Sequence, residues 1–243
     1  MLSLLMLLLR MSSSRVRVII PCLPSLNLVF EKKDCLDLLS EFSLLACKPS
    51  AVPLEQNLKI SNEPTSSDPL IDKVTEYQKL IGKLIYLTYT RPDISYVVHY
   101  LSQFMHKPLE SHLKISLKVL RYLKGSPGKG VHIVKCPKVS LETYVDADWA
   151  KCLVTRKSVT RYYLFLNGSL VSWKSRKHNT LSKSTTEAEY RAMTSATSET
   201  VWVLKVLKDL NWGNFLHVNH FCDSQVAIKI AANTVFHERT KRL

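Results

Sequence analysis

Hydrophobic spacing divides this chain into a helical first half and a second half that changes period. Over residues 31–47, Leu36, Leu39, Phe42 and Leu45 recur near the helical repeat and predict a helix carrying them on one side. Residues 48–72 hold Pro49, Pro53, Pro64 and Pro69 among Ser and Asn, and read as a connector. Helical spacing returns over Val74–Thr88 and Ile94–Phe104, separated by the breaker Arg91-Pro92-Asp93. A further helix is expected over Ser111–Lys124, closed by Gly125-Ser126-Pro127-Gly128. On it Lys114, Lys118 and Arg121 share a face, which either grips phosphates or is simply solvated.

After Gly130 the period falls from 3.6 to 2. Leu141, Thr143 and Val145 alternate with Glu142, Tyr144 and Asp146, giving a strand that ends in an acid. Arg161–Leu166 and Ser169–Lys174 flank Asn167-Gly168, a dipeptide that specifies a type I′ hairpin turn. Ser184-Thr185-Thr186-Glu187 is a capping box opening a helix to about Leu210. His217–Cys222 reads as a short strand, Asp223 closes it, and Ser224–Ala232 reads as a second helix. The second half is therefore β-β-β-α-β-α, an α/β arrangement.

Charge adds a partner to this picture. The 243 residues carry 34 Lys and Arg against 20 Asp and Glu, a net charge of +14. The excess is local: residues 111–140 and 151–186 contain seven and eight basic residues respectively, and no acid. Blocks of this kind suit a polyanion, nucleic acid before a membrane surface. The six cysteines show no paired spacing and read as reduced thiols of an intracellular protein. The eight histidines form no zinc pattern. Met1–Leu9 is largely apolar and meets Arg10, without the basic start or cleavage site of a signal peptide, and is too short to span a bilayer. Residues 1–30 are left unplaced, as non-native or disordered sequence.

One acidic constellation carries chemistry. The inward stripe of the long helix, Met193, Ala196, Thr200, Val203, Leu207 and Leu210, extends one turn back to Glu189. Glu187 is accounted for by the cap, whereas a buried Glu189 needs a partner, a proton or a cation. A right-handed crossover would set the strands ending in Asp146 and Asp223 side by side and parallel, with Glu189 facing both. Three hard oxygen ligands favour Mg²⁺ or Mn²⁺ and suit phosphodiester hydrolysis. The spacing is equally compatible with two strand-end turn formers and an exposed glutamate.

Six motifs occur in order: Asp146-Ala147-Asp148-Trp149-Ala150, Thr155-Arg156-Lys157-Ser158, Val171-Ser172-Trp173-Lys174-Ser175, Glu187-Ala188-Glu189-Tyr190-Arg191-Ala192, Cys222-Asp223-Ser224-Gln225-Val226-Ala227 and His237-Glu238-Arg239-Thr240-Lys241. Together they resemble the ribonuclease H domain at the end of a copia-type LTR retrotransposon polyprotein. Upstream, Tyr77-Gln78-Lys79-Leu80-Ile81-Gly82, Thr90-Arg91-Pro92-Asp93-Ile94 and Val119-Leu120-Arg121-Tyr122-Leu123-Lys124-Gly125 resemble the segment joining reverse transcriptase to that domain, and Leu44-Leu45-Ala46-Cys47-Lys48-Pro49 the polymerase tail.

The resemblance implies a ribonuclease H-like mixed sheet of the five-stranded type over residues 141–243. It also implies a mainly helical remnant of the reverse-transcriptase tail and connection over 31–140. It implies cleavage of the RNA strand of an RNA–DNA hybrid by two Mg²⁺ or Mn²⁺ ions, with Asp146, Glu189 and Asp223 as ligands and catalytic residues. The hybrid would be recognised by shape and backbone. Lys157, Lys174, Arg176 and Lys177 are the expected nucleic-acid contacts, while Trp173 is either a backbone contact or core. The fourth acid is expected just past His237–Lys241, where the sequence stops at Leu243, so the domain is expected to be incomplete and impaired. Lys151 and Arg161 stand where the family has small residues or glycine, and Arg161 is expected to disturb the entry to the hairpin. Tyr144-Val145-Asp146-Ala147 is a chance likeness to a polymerase motif, and no polymerase activity is expected. Two other readings stand beside the nuclease: a non-catalytic nucleic-acid-binding remnant of a polyprotein, and a degenerate fragment without a stable fold.

Overall fold

A computed structural model of the chain describes residues 26–27, 31–55, 63–133, 140–152, 155–212 and 217–233. These fall into two compact units, Asn27–His132 and Ile133–Leu243, the latter together with Leu26. The His237–Lys241 motif, and residues 1–30 apart from Leu26–Asn27, lie outside the described residues.

The first unit is helical: α1 (Glu31–Glu41), α2 (Val74–Leu87), α3 (Ser95–Leu101) and α4 (Glu110–Lys124). Short 3₁₀ turns, Pro92–Ile94 and Ser102–Phe104, flank α3. Along α2 the buried residues Tyr77, Leu80, Ile81, Leu84 and Leu87 follow the helical repeat, so one stripe meets the core. Helix α1 stops at Glu41, short of the expected end, and the chain turns through Ser43 in the left-handed region. Its buried stripe is Cys35, Leu38 and Leu39, whereas Leu36 and Leu45 are exposed. The thiol of Cys35 packs as a small hydrophobe, which shifts the stripe by one residue.

The Arg91-Pro92-Asp93 breaker is a bracket in this unit. Arg91 is buried, its Nε and Nη2 donate to the Asp93 carboxylate at 2.9 and 2.8 Å, and its Nη1 donates to the Ser126 carbonyl at 3.0 Å. The breaker is thereby tied to the glycine-rich stop after α4. The predicted basic face of α4 is engaged within the same unit. Lys114 pairs with Glu110 at 3.2 Å, Lys118 with Glu55, and Arg121 Nε donates to the Lys48 carbonyl at 3.2 Å.

The second unit is α/β. Its elements are β1 (Leu141–Asp148), β2 (Val159–Leu166), β3 (Ser169–Lys177), α5 (Thr185–Asp209), β4 (Asn219–Cys222) and α6 (Gln225–Ala232). The sheet runs β3-β2-β1-β4, antiparallel except for the parallel β1–β4 pair. It is mixed and open. It has four strands among the described residues where five were expected, and the residues beyond Asn233 lie outside the described set.

Local chemistry accounts for these elements. In β1, Leu141, Thr143 and Val145 are buried and Tyr144 is exposed, the alternation of a half-covered strand. Asn167 and Gly168 both have positive φ, 52° and 76°, as the type I′ turn requires. The β2–β3 ladder passes through Arg161 opposite Ser175, so Arg161 does not disturb the hairpin entry; the irregularity lies at Leu164/Phe165. A long polar side chain on an exposed strand face leaves the backbone ladder free to form.

Helix α5 begins at Ser184, whose Oγ accepts from the Glu187 amide at 3.1 Å. The Glu187 carboxylate reaches back to the Lys183 amide at 2.8 Å, one residue earlier than a capping box would place it. The α5 face toward the sheet carries Glu189, Ala192, Ala196, Thr200, Val203 and Leu207. Met193 is half-buried and Leu210 exposed, so the stripe runs through the alanines instead. Leu164, Leu166, Val171 and Leu207 share one core cluster, each burial worth about 1.5–3 kcal/mol. Thr143 and Thr200 satisfy each other across the helix–sheet contact, Oγ1 to Oγ1 at 3.0 Å. Among the described residues the cysteines form no disulfide, and no helix is long and apolar enough to cross a membrane.

Candidate metal centre and basic cleft

The parallel β1–β4 pairing fixes the centre. Val145 lies opposite Cys222, so Asp146 and Asp223 are the next residues along two adjacent, codirectional strands. Helix α5 brings in Glu189 from the same end. This side chain is 8% exposed, and its Oε1 accepts from the Ala147 amide at 3.2 Å. The Cys222 thiol donates toward Glu189 Oε2 with Sγ at 4.0 Å. Ligand atoms of Glu189, Cys222 and Asp223 all lie within 4.8 Å of one another.

Electrostatics mark the same spot. Burial pushes the Glu189 carboxyl up to about 7, against the opposing Ala147 hydrogen bond, and the negative charges of Asp146, Asp223 and Asp148 push it the same way as burial. Burial also raises the Cys222 thiol, with Glu189, Asp223 and Asp146 adding to the effect. A cavity of about 750 Å³ opens over Asp146, Arg161, Cys222 and Asp223.

Two neighbours complete the centre. Arg161, the cross-strand partner of Asp146, places Nη2 at 2.9 Å from Asp146 Oδ2 and 2.6 Å from Asp148 Oδ2. Lys151 Nζ stands 3.7 Å from Asp148 Oδ2. Sequence reasoning named Asp146, Glu189 and Asp223; the structure clusters Glu189 and Asp223 with Cys222 and pairs Asp146 with Arg161, so Cys222, Asp148 and the Arg161 ion pairs were missed. Asp148 carried a signal, since it is two residues beyond Asp146 and so on the same strand face. Nothing in the sequence announced the Arg161 contact.

A separate cleft of about 230 Å³ is basic. Lys174, Arg176, Lys177, His178 and Arg191 line it, with Thr180. Lys174 is half-buried over the Tyr162 ring, 5.8 Å from its centroid, and donates to Ser195 Oγ at 3.1 Å. Burial and the nearby Arg176 both hold its pKa below the ordinary value. Arg176 is exposed at the rim, and Lys157 donates to the Asn179 carbonyl of the lining. Arg191 is anchored by Glu187 at 2.8 Å. The expected contacts Lys174, Arg176 and Lys177 therefore share one surface, and Lys157 reaches its edge. His178 and Arg191 join them without having been anticipated. Trp173, on β3, is half-buried.

Carboxylates gathered beyond adjacent parallel strands, together with a basic cleft, define an α/β protein with a centre chemically suited to a divalent cation. The chain is 38% identical over 213 residues to the retrovirus-related Pol polyprotein from transposon RE1 of Arabidopsis thaliana, a match covering 88% of this chain and 14% of that one. It is 34% identical over 212 residues to the retrovirus-related Pol polyprotein from transposon TNT 1-94 of Nicotiana tabacum, covering 84% and 16%. An uncharacterized mitochondrial protein of Arabidopsis thaliana is 36% identical over 179 residues, covering 74% of this chain and 73% of its own length. The chain belongs to the copia-type retrotransposon Pol polyprotein family and spans about one seventh of the RE1 polyprotein's length. No family model and no solved structure matches it.

Proposed function

We propose that the second unit is a ribonuclease H-like domain that hydrolyses the RNA strand of an RNA–DNA hybrid with divalent cations. One observation carries this reading: the parallel β1–β4 register sets Asp146 and Asp223 at the same level, and Glu189 is hydrogen-bonded to the backbone immediately after Asp146. Membership in the Pol family supports it, since the RE1 and TNT 1-94 relatives are retrovirus-related Pol polyproteins.

The donor set fits a hard cation. Glu189 and Asp223 offer carboxylate oxygens in one cluster with the Cys222 thiol, Asp146 adds a carboxylate from the adjacent strand, and among the described residues no histidine joins the ligand cluster. These three residues would hold Mg²⁺ or Mn²⁺, which when bound lowers the pKa of water and stabilises charge on a phosphodiester. Asp146 orients the site from β1, and Asp223 from the residue immediately after β4. Glu189, protonated up to about pH 7 in the cation-free centre, must give up its proton before it can act as a ligand. Lys174, Arg176, Lys177 and Lys157 hold backbone phosphates of the hybrid by charge, without reading bases.

The test is cleavage of a hybrid labelled on its RNA strand, by the purified chain, with Mg²⁺ or Mn²⁺. Cleavage is expected, and Asp146→Asn is expected to reduce it at least about 100-fold, the scale of losing a positioned charge in a catalytic centre. Cutting by that variant at the parent rate would overturn the assignment. A second reading, binding without cleavage, is favoured by the Arg161 ion pairs, because a guanidinium already pairs with Asp146 and Asp148 and offsets part of their charge. It predicts equal affinity for a hybrid with and without Mg²⁺.

A further inference from the structure

We infer that the Arg161 guanidinium is a built-in counter-ion of this centre and stands in for one of two divalent cations, leaving a site for a single ion on the Glu189 and Asp223 side. The inference rests on the nuclease reading, and concerns how the same centre is charged.

The geometry is specific to Arg161. One nitrogen, Nη2, lies within ion-pair distance of two carboxylates on alternate residues of β1, 2.9 Å from Asp146 Oδ2 and 2.6 Å from Asp148 Oδ2. Those aspartates share the strand face of Arg161, because Asp146 is its cross-strand partner. Backbone pairing holds the Arg161 main chain from both sides, against Asp146 in β1 and Ser175 in β3, so the guanidinium starts from a fixed position on the sheet. Arg161 and the Asp148 side chain are each about one-third exposed or less, which reduces screening of the pair.

Charge then decides how many cations fit. Asp146, Asp148, Glu189 and Asp223 bring four negative charges when ionised. Two divalent ions would balance them alone, but Arg161 and Lys151 already add two positive charges against Asp146 and Asp148. A second dication beside Asp146 would face the guanidinium at close range, and like charges at such separations repel in a partly buried site. One dication on the Glu189–Asp223 side, with the two basic side chains, balances the four acids. Arginine suits this role because it stays protonated at every working pH and its fork can pair more than one oxygen.

The test counts Mn²⁺ bound to the full chain, by titration calorimetry or by the loss of free-ion resonance signal. The parent is expected to bind one ion. Arg161→Gln, which keeps a polar side chain, shortens it and removes the charge, is expected to bind two, or to bind its first at least tenfold more tightly. Lys151→Gln is the control, since Lys151 faces Asp148 alone at a longer 3.7 Å; it is expected to stay at one ion. Two ions on the parent overturns the inference without any variant. One ion of equal affinity on parent and Arg161→Gln overturns it and leaves the nuclease reading standing. No bound ion in either overturns both.

Discussion

Glu189 illustrates what burial does to a single carboxyl. Its proton is held more tightly in the folded chain, up to about 7 from an ordinary 4.5, because the desolvated anion also faces Asp146, Asp223 and Asp148. A group whose folded pKa is raised contributes stability that is complete below its unfolded value and is lost as pH climbs through the folded one. With a chelator present, the melting temperature of the second unit is expected to fall between pH 4.5 and pH 7, by an amount worth at most about 3 kcal/mol. Glu189→Gln removes the titrating group and should flatten that part of the profile. A parent profile already flat over this window, followed by circular dichroism, would contradict the burial of Glu189. Adding Mn²⁺ should reverse the trend above pH 7, since a cation takes the place of the lost proton.

At the scale of elements, two glycines with equally open surroundings should respond with opposite sign. A Cβ at Gly168 or at Gly82 would meet nothing within 4 Å, so neither substitution clashes. Gly168 sits in the hairpin turn at φ +76°, where alanine is strained, and Gly168→Ala is expected to cost about 1 kcal/mol. Gly82 lies inside α2, and Gly82→Ala is expected to stabilise its unit by about 1 kcal/mol. Urea midpoints should move in opposite directions with unchanged slopes.

The same contrast explains what the sequence could reveal. Asn167-Gly168 is legible because a two-residue turn fixes its own dihedrals. The α5 stripe is legible because burial repeats with the helix, and Glu189 follows from it. The stripe of α1 differs from the expected one because Cys35 packs as core while Leu36 does not. The pairing of Arg161 with Asp146 was hidden for a different reason. The register of β1 against β2 depends on the connection between Asp148 and Val159, which has no turn signature and whose residues 153–154 lie outside the described set. A contact set by a long connection has no local sequence signal.

For the whole molecule, the net charge of +14 overstates what a polyanion meets. Lys114, Lys118 and Arg121 are engaged inside the helical unit, and Arg161 and Lys151 answer the acids of the centre. In the proposed function the charge that meets a backbone is that of the cleft, Lys174, Arg176 and Lys177 with Lys157 at its edge. Three to four phosphate contacts would give log K against log salt a slope of about −3, far shallower than the total charge suggests. Arg176 is the exposed member of the group, so Arg176→Ala is expected to weaken hybrid binding and bring the slope closer to zero by about one. Lys114→Ala removes a cation of equal charge that pairs with Glu110 and should leave the slope unchanged. Fluorescence anisotropy over 50–300 mM salt separates the two cases. Equal slope changes for both variants would mean that net charge alone attracts the nucleic acid. A change confined to Arg176→Ala would mean that the cleft, where β3 ends against the first turns of α5, is the surface on which the backbone lies.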